Sequence, residues 1–401
     1  MNAKARIADV MLRWCIQSLG SRLEALVLTG SLARNEATWH QTEVGVQFLS
    51  DAEFIVIIKD DGEIPSPALA TLICRGAEEE LRNQGVACKL SFGAVHDDFL
   101  QNLGDTIFGY ELLTCGEVVY GDSRLLVSKA QPVSHVSRED AWRMLANRTV
   151  ELLEIVPELV REDPLTEAAQ YRLTKLYCDM ATSVLAFKEE FVPGYQARAD
   201  KLCDLHERGT LSDLPFDASW FVNMVRRCTD YKIMRCRDSI SLFNSRESVR
   251  EAIVVLRSLW AWELARMLGT PPSSPDKLLG LRMRRQKLKE RLRGWGFVVR
   301  HRGFLDSLRH SWRWLRLLRC GSPRYCVYVA GLETISSFAS PPSTDPDSTG
   351  LGKLENWNSK FETVARWLPV VNVSVHTAPD ETEIAEAILW NYREFLVETR
   401  A

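Results

Sequence analysis

At 401 residues, 46% hydrophobic and 26% charged, the chain is too long for one ordinary core and suits two or three domains that fold without staples. Its formal net charge of −3 hides an asymmetry: Lys277 to Arg324 holds 15 Lys or Arg against Glu290 and Asp306, a local balance of +13, leaving −16 for the rest. Ten cysteines without a C-x-x-C pair, and a start without a charged stretch leading into an apolar one, predict a reduced, cytoplasmic protein without a disulfide framework.

Residues 5–19 place Ile7, Val10, Met11, Trp14 and Leu19 at helical spacing, which predicts an amphipathic opening helix. A short apolar strand, Ala25 to Leu28, then ends at Thr29-Gly30-Ser31, where glycine permits a tight turn, and helix is expected from Leu32. Asp51 to Lys59 is apolar and β-branched from Phe54 to Ile58 and predicts a buried central strand. Its apolar run, like Ala252 to Leu256, is far below the roughly 20 residues of a membrane span, so no transmembrane segment is expected. Pro65 and Pro67 introduce a helix over 67–83, Gly85 ends it, and a third strand is expected over 86–95. The stretch 108–122 reads as a helix ending near Gly116, a brief extended return, and a turn at Gly121-Asp122.

From Arg138 the pattern becomes helical, over 138–155, 164–191, 196–208, 216–242 and 247–268, with prolines 157, 164, 193 and 215 at the joints. A basic helical segment follows over 277–340, a linker composition over 341–354, and a C-terminal helical segment over 355–401 whose last helix, about 380–398, has Asp380 as cap and Glu383 in the capping-box position. The expected fold is α+β: a small mixed sheet with flanking helices over 1–130, then a helical domain over 138–270.

The chemistry concentrates in Gly30-Ser31-Leu32-Ala33-Arg34-x-Glu36 and in Asp51-Ala52-Glu53. Period-two geometry sets Asp51 and Glu53 on one strand face, where two carboxylates can share hard cations such as Mg²⁺ or Mn²⁺. The Gly30-Ser31 turn offers N–H groups and a hydroxyl to phosphates. Arg34 and Glu36 read either as an ion pair on the helix or as a means of positioning a triphosphate. The seven histidines show no zinc-ligand spacing, and neither a G-x-S-x-G elbow nor a Walker loop occurs.

These residues, with Glu111-Leu112-Leu113, Gly116 and Tyr120-Gly121-Asp122, resemble the nucleotidyltransferase superfamily that includes polymerase β, the aminoglycoside nucleotidyltransferases and the minimal nucleotidyltransferases, over residues 23–122. The resemblance implies a nucleotidyltransferase fold, transfer of a nucleoside monophosphate from an NTP to an acceptor hydroxyl, Asp51 and Glu53 as catalytic metal carboxylates, and Gly30, Ser31, Arg34 and Lys89 against the nucleotide. Two departures stand out. Nineteen residues separate Ser31 from Asp51, which requires an inserted hairpin or loop, and the strand that commonly supplies a third carboxylate reads Cys88-Lys89-Leu90-Ser91-Phe92. Lys89 or Ser91 takes the acid's place, and Asp97 and Asp98 are the acids at hand to substitute. A lysine there either balances phosphate charge or pairs with Asp51 or Glu53 and blocks metal. The competing class is a degenerate nucleotide-binding or partner-binding module.

In the helical part, Tyr171, Arg172, Lys175, Tyr177, Lys188, Tyr195 and Arg198 offer material for an acceptor wall, with Arg148 and Lys175 preferred for phosphate contact. The stretch 281–320 mixes arginines with Trp295, Trp312, Trp314 and leucines. Such a face suits acidic faces of its own protein, anionic membrane headgroups at the periphery of a bilayer, or nucleic-acid phosphates; Trp and Leu at helical spacing favour headgroups over RNA or DNA.

Overall fold

The apolar runs at Leu23–Thr29 (β1) and Ala52–Ile58 (β4) lack polar alternation because both of their faces are covered. Leu26, Leu28, Phe54, Val56 and Ile58 join one core cluster, while Ala25, Val27, Ile55 and Ile57 join another on the opposite side. A computed structural model describes residues 3–128, 135–161, 164–234, 242–243, 245–339, 362–371 and 380–397. The linker expected at 341–354 and the domain edge expected at 130 lie outside these residues. The protein is α+β, with a small mixed sheet and many helices.

Contacts divide the chain into two interleaved units. The first comprises Met1–Ala141, Ala181–Thr210 and Val222–Ser239; the second comprises Trp142–Met180, Leu211–Phe221 and Ile240–Ala401. In the first unit a four-stranded sheet runs β6-β4-β1-β7, with β6 Leu90–His96 parallel to β4, and β1 antiparallel to both β4 and β7 Glu117–Tyr120. Helix α1 (Ala3–Leu19) buries Ile7, Val10, Met11, Cys15 and Leu19, the expected stripe. It crosses α3 (Pro67–Asn83) at Gly76, where an added Cβ would meet Trp14 Cη2 at 2.3 Å. Ser66 caps α3 by accepting from Leu69 N–H at 3.3 Å, and Pro67 occupies its first turn.

The helix expected from Leu32 lasts one turn, α2 (Gly30–Ala33), and the chain leaves it at Asn35 with φ 61°. The inserted residues form the hairpin β2 (Trp39–Thr42) and β3 (Gly45–Phe48). The single strand expected over 86–95 is broken at Cys88-Lys89: β5 (Val86–Ala87) pairs with β3 in a three-stranded sheet, and β6 enters the larger one. Just ahead of β5, Gly45 and Gly85 approach too closely for side chains, an added Cβ on Gly45 lying 2.0 Å from Gly85 O, which lets β5 pair with β3. Short helices α4 (Asp98–Gln101), α5 (Ile107–Cys115) and α6 (Leu125–Ser128) cover the second face of the sheet, α5 with Thr106 accepting from Gly109 N–H at 2.9 Å.

The remaining helices are α7 (Arg138–Glu151), α8 (Val156–Arg161), α9 (Glu167–Phe187), α10 (Tyr195–Glu207), α11 (Ala218–Met234), α12 (Arg246–Leu268), α13 (Pro275–Arg285), α14 (Leu288–Arg302), α15 (Phe304–Cys320), α16 (Pro323–Ser337) and α17 (Glu381–Tyr392). The helix expected over 138–155 tightens to 3₁₀ at Leu152–Ile155 ahead of Pro157. Within the second unit α16 is buried on nearly every side, and Trp142 packs against Trp260, Tyr325 and Tyr328 with ring centroids 5.3, 5.3 and 5.7 Å away. The capping box at Asp380 and Glu383 is formed, with Glu383 N–H donating to Asp380 at 2.8 Å.

Much of the basic segment serves helix C-termini, where unpaired carbonyls attract cations. Arg285 donates to Leu268 O at the end of α12 at 2.7 Å; Arg291 reaches Met283 O and Arg319 O, each at 2.7 Å; Arg313 reaches Leu368 O at 2.6 Å and also Ala365 O. Among the described residues no helix is long and apolar enough to cross a membrane.

Candidate functional site

Two turns and one strand end meet at the outer end of β4. Asp51 and Glu53 are exposed on either side of the buried Ala52, and Glu53 has the same parity along β4 as Ile55 and Ile57. Thr29 pairs with Glu53 across β1 and β4, so the turn that follows β1 is carried against that carboxylate. Gly30 has φ 68°, and a Cβ added to it would lie 2.7 Å from Glu53 Oε2. The positive φ favours glycine here, and the Glu53 carboxylate lies against the turn. Ser31, half-buried, follows directly, and its carbonyl accepts from Glu36 N–H at 2.8 Å. With α2 only one turn long, the helix dipole expected at this turn is small, leaving the Ser31 hydroxyl and local N–H groups as the polar groups on offer.

Asp51 is held from behind. Thr38 N–H donates to Ser50 Oγ at 2.9 Å, and Ala52 N–H donates to Lys89 O at 2.9 Å. That second bond fixes Lys89 beside the acid pair, where its Nζ lies 3.8 Å from Asp51 Oδ2 with side chains 75% and 44% exposed. At that distance and exposure the pair is weak. The parallel register sets Ser91 opposite Glu53, so a hydroxyl stands where a third acid is expected. The same register places His96 opposite Ile58, carrying Asp97 and Asp98 to the far end of the strand, roughly 20 Å away at about 3.3 Å per residue. Neither can substitute for the missing acid.

A second, buried cluster begins three residues after Ser31. Arg34 Nε donates to Glu36 at 3.0 Å and its Nη1 to Glu111 at 2.8 Å, while Arg198 binds the other oxygen of Glu111. Glu36 Oε1 accepts from Tyr195 N–H at 2.7 Å and Gln196 N–H at 3.2 Å at the start of α10. Lys232 Nζ lies 4.8 Å from the Tyr195 ring centroid, and Thr38 donates to Lys232 O at 3.0 Å. Burial alone would lower the Arg34 pKa, but Glu111, Tyr195 and Glu36 outweigh it and hold the guanidinium above its ordinary value. Arg34 is thus gripped by two carboxylates within the protein.

The other candidates are also engaged. Arg148 binds Asp179 at 2.6 Å and also Glu151; Arg172 binds Glu154; Lys188 donates to Thr210 O at 2.7 Å. Lys175 lies 5.8 Å from the Tyr171 ring centroid, and Tyr177 is fully buried, stacked on Phe243. Lys232 and Thr38 escape sequence reasoning, since a lone lysine in an amphipathic helix reads as surface.

Among the described residues no group of three or more His, Cys, Asp or Glu side chains is placed to hold a metal ion. Two carboxylates still fit Mg²⁺, which takes one or two protein acids and completes its shell from water and substrate phosphates. No protein-family model and no curated protein matches the sequence.

Proposed function

We propose that the chain is a metal-dependent nucleotidyltransferase whose first unit has the polymerase-β-type fold and binds an NTP between the Gly30-Ser31 turn and the Asp51–Glu53 pair. The observation that carries this reading is the approach of the Gly30 turn to the Glu53 carboxylate, which brings two motifs 23 positions apart to one place. Ser31 would hold phosphate oxygens, and Asp51 and Glu53 would hold Mg²⁺ together with the polyphosphate. The bound metal would supply charge neutralisation at the α-phosphorus as pyrophosphate leaves and the acceptor hydroxyl attacks.

Calorimetry with ATP, GTP, CTP and UTP in the presence of Mg²⁺ tests it. The parent should bind at least one of them in a Mg²⁺-dependent manner, and Asp51→Ala combined with Glu53→Ala should weaken that binding at least about tenfold, the scale of one lost charge-assisted contact. Binding that survives the double substitution unchanged removes the site. A second reading, a binding module without transfer, is favoured by Lys89 beside Asp51 and Ser91 opposite Glu53. It is distinguished by Mg²⁺-dependent NTP binding without pyrophosphate release over any acceptor pool.

A further inference from the structure

The arginines that cap helix ends leave other cations of the basic segment facing outward, and these are sorted on α14. Exposed positions there are Leu288, Lys289, Glu290, Leu292, Arg293, Gly296, Val299, Arg300 and His301. At about 100° per residue, Leu288, Val299 and Leu292 fall within an arc of roughly 40°, while Lys289, Arg300 and Arg293 fall within another of similar width on its flank, with Gly296 between them. A protein surface that meets only water has no reason to collect its leucines into a strip. The three apolar side chains are 64%, 40% and 51% exposed, and α15 adds Trp312 at 86% and Leu315 at 53%, beside exposed Arg316 and Arg319. These make five of the 14 exposed large hydrophobics among the described residues, within 28 consecutive positions.

The two helices form one hairpin, with Trp295 and Trp314 ring centroids 5.8 Å apart and Arg291 donating to Arg319 O. It stands on a chain whose remainder carries −16 against +13 in Lys277–Arg324. We propose that this hairpin docks on an anionic lipid surface, the apolar strip and Trp312 entering the headgroup boundary while Lys289, Arg293 and Arg300 meet lipid phosphates and carboxylates. Charge selects the occupant: the cationic flank attracts an acidic bilayer, against a chain whose other residues carry net negative charge. Nucleic acid would use the cations but leave Leu288, Leu292 and Val299 in water. A second copy pairing through the same hairpin would set +13 against +13.

The test is sedimentation of the full chain with vesicles of phosphatidylcholine alone or with about 30 mol % phosphatidylserine, at about 0.05 and about 0.5 M NaCl. Binding should require the anionic lipid and fall at least about tenfold at high salt, where screening is nearly complete. Lys289→Glu with Arg293→Glu and Arg300→Glu should lower the partition coefficient by at least about 100-fold, roughly fivefold for each cation lost before the repulsion of the new acids is added. Leu288→Ser with Leu292→Ser and Trp312→Ser should lower it at least tenfold, by removing about that much apolar insertion. Because all six side chains are exposed, both variants should keep the parent's melting temperature, and the charge variant alone decides if the apolar one does not. Equal binding to neutral vesicles, no binding, or salt-dependent gel shifts of DNA or RNA without vesicle binding overturns the proposal. So does self-association abolished by the apolar variant in a chain that ignores vesicles.

Discussion

The buried cluster around Tyr195 and the outer end of β4 are made of the same materials, carboxylates and cations, and differ in how far water reaches them. Glu111 lies between two guanidinium groups and Glu36 between a guanidinium and two backbone N–H groups, while Asp51 has one lysine at 3.8 Å in a solvated setting. Saturated, desolvated charge holds structure. Charge left partly hydrated at a strand end can be lent to a ligand.

The contrast breaks most easily at Glu111. Glu111→Ala leaves Arg34 and Arg198, whose side chains are 7% and 4% exposed, facing each other without their shared acid. The expected loss is about 3–5 kcal/mol in urea unfolding, the range for removing one partner of a buried pair. A loss below about 1 kcal/mol would mean that water already screens this cluster, and the contrast with β4 would fail.

Glu333 sharpens the contrast because it is enclosed but poorly served. Its Oε2 has no hydrogen-bond partner among the described residues, and Arg366 stands 4.0 Å away. Burial pushes its carboxyl from an ordinary value near 4.5 up to about 7, with Arg366 and a contact with Trp367 opposing and Asp276 adding. The folded state therefore holds the proton more tightly than the unfolded chain. Its contribution is fully present below about pH 4.5 and is lost as pH rises through about 7. Glu333→Gln should leave stability near pH 4 unchanged and raise it at pH 8 by on the order of 2 kcal/mol. A pH-independent difference would mean that this carboxylate is already solvated.

What the sequence disclosed divides along the same line. The stripe of α1, the continuous apolar runs of β1 and β4 and the capping box at Asp380 follow from local pattern, because each is dictated by residues a few positions apart, while spacing alone left the insertion as a hairpin or a loop. The acid pair and the glycine turn were legible for the same reason. The partners of Arg34 and Arg198 at Glu111 lie 77 and 87 positions away, and Arg285, Arg291 and Arg313 bind main-chain carbonyls, which carry no residue identity to read. The break of the 86–95 strand at Cys88-Lys89 is a matter of which strands the two halves pair with, β3 and β4, and local β propensity carries no such partner.

At the exposed end of β4 the effects should be small on folding and visible on binding. Asp51→Ala with Glu53→Ala should change unfolding free energy by less than about 1 kcal/mol, since neither carboxylate is buried. Lys89 gives the finest discrimination. Its pairing with Asp51 is exposed, so Lys89→Ala should alter stability by no more than about 0.5 kcal/mol. If the lysine competes with a cation for Asp51, the substitution should tighten Mg²⁺-dependent NTP binding about two- to threefold, because a weak exposed pair is all that the metal must displace. If the lysine instead touches the triphosphate, the same substitution weakens binding, and the competition account of Lys89 is wrong. Titration of NTP at several Mg²⁺ concentrations separates the two: competition disappears at saturating metal, whereas a lost phosphate contact persists there.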